Sequence, residues 1–319
     1  MKRTEIVSAA QPAALPAGAA ASTAYPLLVG TALLWAGNTV AGRWAPGEVS
    51  PQVLTCLRWA IACVVLLVIA RRRFLAERRV LAPYWLRVLL MGACGYTIYA
   101  SLFYAAGAYT SAVNLALFQG AIPVLVILMN VAVRGTPVRL AQGIGVVVTL
   151  LGAAVAATHG DWTVAATMNF NRGDLLMLTA CIFYAGYTVG LPARPPVSGV
   201  TFFTAMAAAA FLTSLPPLAV EYAAGHLIWP TPKGWAIVAF VALGPTLAAQ
   251  LSFMRGVELI GPNRAGLFVN LVPVFGALLA VALVGESFGR PDAVALLLVL
   301  CGIAIAERRQ ARPEKKNGG

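Results

Sequence analysis

Runs of about twenty apolar residues recur along almost the whole chain, and they leave little choice of fold. A bilayer core about 30 Å thick is crossed by roughly 20 residues of α-helix. Inside it each backbone amide needs a partner, which a helix supplies from its own segment. Reading for such runs and the breaks between them gives ten segments: 25–44, 50–70, 84–106, 110–133, 138–158, 173–191, 199–224, 233–255, 262–284 and 291–307. Of the 319 residues, 60% are hydrophobic and 11% charged, against roughly 45–50% and about 25% in soluble domains. A soluble fold would need one core able to hide nearly every segment. The expected class is therefore all-α integral membrane, with ten transmembrane helices.

Charge sets the expected orientation. The sequence carries 23 basic and 11 acidic residues, a net charge of +12. In a soluble protein that excess would suggest nucleic acid. Here the bases cluster between apolar spans and at the termini, with no globular domain to carry them, so no nucleic-acid partner is expected. With the N-terminus in the cytoplasm, only Arg43, Arg172, Lys233 and Arg290 fall outside, Arg58 lies within a span, and every other base falls inside. The positive-inside rule then puts both termini in the cytoplasm of a bacterial-type inner membrane. Lys2 and Arg3 resemble the start of a signal peptide, but residues 9–24 form an Ala/Pro stretch interrupted by Pro12 and Pro16, not an apolar core. Residues 1–24 read as a flexible cytoplasmic tail and 308–319 as a basic one.

The chain also repeats. Displaced by 150 residues, segment 101–156 aligns without a gap on 251–306. Pro123 falls on Pro273, Gly135 on Gly285, Gly152 on Gly302, and Leu117-Phe118 on Leu267-Phe268. A shift of 149 places Ala36-Gly37-x-Thr39-Val40 on Ala185-Gly186-x-Thr188-Val189. The expected units are 25–158 and 173–307, five helices each, and an odd number makes the second copy enter from the opposite side. Matched loops carry opposite bias: Arg71, Arg72, Arg73, Arg78 and Arg79 lie between spans 2 and 3, against Glu221, His226 and Lys233 between spans 7 and 8. Inverted repeats are a recurrent design of secondary transporters, with the substrate site near the midplane where the copies meet.

Polar groups within spans need partners or a watery cavity. The candidates are Trp35 and Asn38 in span 1, Tyr96 and Tyr99 in span 3, Gln119 in span 4, Tyr184 and Tyr187 in span 6, Gln250 in span 8 and Asn270 in span 9. An aromatic wall with a few hydrogen-bonding groups suits small amphipathic solutes. Aromatics at helical spacing also pack helices together, and single amides also tie them. Arg58 lies eight residues past Ser50, about 12 Å deep at 1.5 Å per residue. It either meets a substrate carboxylate through its planar fork or serves a structural or gating role, which its absence from the second copy favours little either way. Pro123 and Pro273 each remove a backbone hydrogen bond mid-span, as kinks or as paired hinges. No Asp or Glu lies mid-span, so ion coupling of the usual kind is not expected, and facilitated flux is.

Other chemistries find no support. There is no HExxH, GxSxG or P-loop, so no enzyme is expected. The cysteines Cys56, Cys63, Cys94, Cys181 and Cys301 all lie in apolar spans and read as small buried hydrophobes, without a CxxC. His159 and His226 lie in separate polar connections. No metal or other cofactor is expected.

At the level of motifs, Leu34-Trp35-Ala36-Gly37-Asn38, Arg58-Trp59, Gly120-Ala121-Ile122-Pro123 with Gly135, and Asn270-Leu271-Val272-Pro273 with Gly285-Glu286 occur in order across residues 25–307. In that arrangement the chain resembles the EamA-type branch of the drug/metabolite transporter superfamily, and most of all its YddG-type amino-acid exporters. The resemblance implies ten helices around a central cavity, alternating access, and export of neutral or aromatic amino acids. Because two five-helix units can form a cavity within one chain, a monomer is expected. A recurrent arginine in the resembled family, independent of substrate, favours a structural or gating role for Arg58. The alternatives are another metabolite, a drug-like cation, or a channel or sensor without a transport cycle. One departure stands out: the first copy has Gly135-Thr136 where many relatives place Gly-Glu.

Overall fold

The computed structural model describes residues 17–135, 137, 139–158, 160, 161 and 171–307. Residues 1–16, Thr136, His159 and the basic tail 308–319 lie outside the described residues. The helices are α1 (Ala17–Trp44), α2 (Pro51–Ile69), α3 (Arg71–Leu81), α4 (Trp85–Gly92), α5 (Tyr99–Ala106), α6 (Ala112–Gly120), α7 (Ile122–Arg134) and α8 (Leu140–Thr158). They continue as α9 (Arg172–Gly190), α10 (Gly199–Ala223), α11 (Pro232–Val241), α12 (Ala249–Ile260), α13 (Pro262–Leu267), α14 (Leu271–Leu279) and α15 (Arg290–Glu307). Each segment expected to span is helical among the described residues. By length and apolarity, 6 helical stretches among the described residues can cross a membrane, or up to 7 if the bent pair α6–α7 is one span. Val64, Val68, Leu140, Leu212, Val220 and Leu297 are exposed on the outer surface. In water such a surface is unfavourable by roughly 25 cal/mol per Å2; in lipid it is not. This is an all-α, multi-span membrane fold.

Three local expectations need correction. The first helix starts at Ala17, not residue 25. The Ala-rich segment has high helix propensity, and Ala24 and Leu28 are buried with Ala265 beside Phe253 and Phe268. The expected loop between spans 2 and 3 is largely the helix α3, none of whose side chains is buried. Glu77 ties it to the start of α10, accepting from the Ser198 amide at 2.9 Å and hydroxyl at 2.8 Å. Cys301, expected buried, is exposed on α15.

Helix pairing follows the repeat. α8 packs on α15, α2 on α10, and α6 on α14; α1 packs on α12 and α14, and α9 on α5 and α7. A displacement of about 150 residues carries α8–α15 and α2–α10 onto themselves and exchanges α1–α12 with α9–α5 and α1–α14 with α9–α7; α6–α14 has no such counterpart. Irregularities repeat as well. π-helical turns occupy Ala93–Ile98 and its counterpart Ala242–Ala248, and a third at Ala280–Val284 has no counterpart in the first half among the described residues. Gly135 and Gly285 both end their helices in the left-handed region, at φ 61° and 75°. Proline bends the fourth span as expected: α6 and α7 meet at 40° around Ala121, with Pro123 in the first turn of α7. Its counterpart Pro273 sits in the first turn of α14, after a 3-10 turn at Phe268–Asn270.

The α8–α15 contact depends on backbone approach. A Cβ on Gly302 would lie 2.2 Å from Thr149 Oγ1 and 2.7 Å from the Gly145 carbonyl oxygen. Small residues permit such contacts where no hydrophobic force drives helices together. Replacing Gly302 with leucine is expected to destabilise the fold by about 1–3 kcal/mol, the usual range for overpacking. A lowered melting temperature of the detergent-solubilised protein is the readout.

Candidate functional site

Two cavities lie between the helices, one of about 170 Å3 and one of about 610 Å3. Trp35, Tyr96, Pro123, Tyr184, Gln250 and Asn270 line both and join them. Asn38, Arg58, Tyr99, Gln119 and Pro273 line the narrow cavity, and Tyr187 the wide one. Every residue singled out from the sequence therefore faces one connected space, although they come from seven separate helical stretches. Among the described residues, Arg58 is the only charged side chain lining it.

The wall on one side is a continuous run of rings. Trp59 stacks on Tyr96 with centroids 4.6 Å apart and planes within 4°. Tyr96 meets Tyr187 at 5.5 Å, Tyr187 meets Tyr184 at 5.5 Å, and Tyr184 meets Tyr99 at 5.0 Å. These separations suit offset and tilted ring pairs. Tyr96 lies in the first π-turn, and such turns recur at functional sites because they re-aim side chains. Opposite, Trp35 packs against Phe253 at 5.3 Å.

The second π-turn contains Pro245, which has no N–H for a helical bond. Two cavity side chains satisfy the carbonyls around it. Trp35 Nε1 donates to the Pro245 carbonyl at 3.1 Å, and Thr246 Oγ1 donates to that of Val241 at 2.7 Å. Arg58 is built into this polar centre. Its Nε donates to Thr246 Oγ1 at 2.6 Å and one Nη1 hydrogen to the Tyr104 hydroxyl at 2.6 Å, which in turn donates to Asn38 Oδ1 at 2.9 Å. The chain ties α1, α2 and α5 to the π-turn ahead of α12. Two further polar side chains have partners of their own: Ser101 donates to Gln52 at 2.7 Å, and the cavity-lining Gln119 donates through Nε2 to the Leu115 carbonyl of its own helix at 3.3 Å.

The wide cavity runs toward Asn130, Pro137, Gln142, Leu191 and Ala306, at the ends of α7, α9 and α15 and the start of α8. The opposite end is tied by polar contacts. Glu286 accepts from the Ala112 and Val113 amides at 2.8 and 3.1 Å and lies 3.6 Å from Arg43 Nε. Arg43 also donates to the Gly107 carbonyl at 3.3 Å. A carboxylate at a helix N-terminus answers its unpaired amides and its dipole, so Glu286 clasps the loop after α14 onto α6. Asp174, buried at the start of α9, accepts from Thr110 Oγ1 at 2.6 Å and Asn114 Nδ2 at 3.2 Å. Between α2 and the loop before α11, Glu48 accepts from Thr231 and pairs with Lys233 at 3.3 Å. The Thr231 hydroxyl first, then Lys233, holds the Glu48 carboxyl below its ordinary range. A depressed carboxylate keeps its contribution above the unfolded pKa and loses it only as pH falls through the lower folded value. This tie is therefore intact at neutral and mildly acidic pH.

Sequence reasoning missed Trp59, Tyr104, Pro245, Asp174 and the clasp at Glu286. Trp59 and Pro245 were within reach, since each adjoins a polar position inside a span. Tyr104 and Glu286 act across distances in sequence that no local pattern reports.

A many-helix membrane protein with an aromatic cavity between its helices, tied at one end and wide at the other, has the form of a membrane transporter. The EamA-like transporter family model matches residues 22–158 and again 171–307, and the chain belongs to that family. It is similar to "Uncharacterized transporter YyaM" of Bacillus subtilis (strain 168), 24% identical over 88% of this chain and 92% of the relative. It is also similar to "Uncharacterized inner membrane transporter YicL" of Salmonella typhimurium, 24% identical over 88% and 95% of the two chains. A solved protein crystal structure shares the fold, at TM-score 0.61 and 22% identity over 91% of this chain and 99% of the other. Neither the fold nor the family points to an enzyme; among the described residues no group of His, Cys, Asp and Glu is placed to hold a metal.

Changing Tyr104 to Phe removes one hydroxyl that serves both Arg58 and Asn38. Hydrogen bonds to charged groups contribute about 1.5–3 kcal/mol, and a loss of that size is expected from thermal unfolding in detergent.

Proposed function

We propose that the protein is an inner-membrane exporter of small amphipathic metabolites, chiefly neutral and aromatic amino acids, working by alternating access. Its architecture in this reading is ten transmembrane helices in two five-helix copies of opposite orientation, with both termini cytoplasmic. The observation that carries the reading is the connected aromatic cavity, lined from both copies and tied shut at one end. The helix contacts exchanged by the 150-residue displacement support the paired copies. Arg134, Arg139 and Arg194 flank the wide end, so by the positive-inside rule that end faces the cytoplasm. A cavity loaded from the cytoplasm suits export, and the inner membrane agrees with what YicL is named for.

The cavity lining has no Asp or Glu among the described residues. Proton or sodium coupling usually relies on one, so flux in this reading runs down the solute's own gradient. Release to the other side requires the Glu286 clasp to part. Pro123 and Pro273, beside the cavity in both copies, act as the hinges, and Arg58 holds the polar centre together while they move.

Purified protein in liposomes is expected to show saturable counterflow of labelled phenylalanine or another neutral amino acid, which a channel would not. Alanine at Trp35, Tyr99 or Gln119 is expected to lower it at least about tenfold, roughly 1.4 kcal/mol or more in transport free energy. Normal counterflow in all three variants removes the cavity from the mechanism. Imposing a proton gradient is expected to drive no uphill accumulation, and accumulation under that gradient contradicts uncoupled flux.

A further inference from the structure

Arg58 is a buried charge without a counter-charge. It is 8% exposed, and among the described residues no carboxylate lies within ion-pair distance of it. Burying an ion is strongly unfavourable unless it is paired and hydrogen-bonded. The neighbouring groups go only part of the way. Nε and one Nη1 hydrogen are taken by the neutral oxygens of Thr246 and Tyr104. The guanidinium lies over the Trp59 ring at 5.0 Å and near that of Tyr104 at 5.9 Å. Ring faces attract a cation but do not neutralise it. The hydrogen bonds of the guanidinium to described residues run from Nε and Nη1, leaving the Nη2 edge free toward the cavity. The buried indole N–H of Trp59, on the same cavity, has no acceptor among the described residues.

We propose that Arg58 is the anchor for an anionic head group, a carboxylate, on the transported solute, and that the ring wall of Tyr96, Tyr184 and Tyr99 receives its apolar body. This rests on the transport reading and narrows it: the cavity selects amphipathic carboxylates and discriminates against amines and amides of the same shape. A planar fork with free donors on one edge matches a carboxylate better than a hydroxyl or amide oxygen. Each arriving carboxylate supplies the missing counter-charge to a guanidinium that is itself buried, where pairing is stronger than in bulk water. A drug-like cation meets the opposite condition, a like charge in a confined space. The structural tie through Tyr104 and Thr246 and the anchor are compatible, because they use different edges of one guanidinium.

The test is a comparison of matched ligands on the full-length protein in detergent, read by quenching of tryptophan fluorescence and by ligand-induced shifts in melting temperature. The probes are phenylalanine against phenylalaninamide, and phenylpropionate against phenylpropanamide, which differ only in the acid group. The acids are expected to bind at least about tenfold more tightly than the amides, a difference of roughly 1.4 kcal/mol. In R58Q the ratio is expected to fall to near one, while R58K keeps part of it. Equal affinities in the unmodified protein, including no binding by any probe, overturn the proposal, as does an acid preference that survives in R58Q. The unmodified protein alone decides the matter if R58Q does not fold. An intact acid preference without counterflow counts against the transport reading only, and counterflow without acid preference counts against the anchor only.

Discussion

Backbone amides inside a bilayer have no water to bond with, and two of this structure's departures from regular helix, at Ala93–Ile98 and Ala242–Ala248, border the cavity. The π-turn at Ala242–Ala248 is the sharpest case. Pro245 withdraws a donor there, and the carbonyls around it are answered by Trp35 from the first helix and by Thr246 from its own turn. Thr246 also accepts from Arg58, which reaches Tyr104 and through it Asn38. A single chain of contacts thus satisfies an interrupted helix, holds a buried cation and positions cavity side chains from four helical stretches. Partly satisfied, the same polar network would be strongly destabilising in so apolar a setting.

The second constraint is the duplicated frame. Close approach of α8 and α15 at Gly145 and Gly302 fixes one edge of the molecule, while the bent fourth span and its counterpart border the cavity. The clasp is unequal between the copies. Glu286 caps α6 at the tied end, whereas the matching position of the first copy is Thr136 in the sequence. That asymmetry gives the tied end a helix-capping carboxylate at a position where the first copy has a threonine.

Much of this was legible in the sequence, for physical reasons. Long apolar runs admit only helices, so element positions followed from where the runs break. The 150-residue repeat placed Trp35 and Asn38 opposite Tyr184 and Tyr187, and those residues do share a cavity with Tyr96, Gln250 and Asn270. Other features depended on tertiary partners. Residues 17–24 are helical because Ala24 has Ala265 to pack against, some 240 positions away. The π-turns carry no periodic signature, and the partners of Arg58 lie 46 and 188 residues off. A loop reading of Arg71–Leu81 failed because charge density alone does not prevent a short helix at a membrane surface.

Alternating access makes a claim about motion that paired distances test directly. Spin labels at Tyr109 and Phe288 report on the tied end, and labels at Arg139 and Glu258 on the wide end, in a cysteine-free background measured by pulsed dipolar spectroscopy. Adding a transported amino acid is predicted to lengthen the first distance in the same population that shortens the second. Two distances that never change, or that lengthen together, would contradict alternating access and leave a static pore in its place.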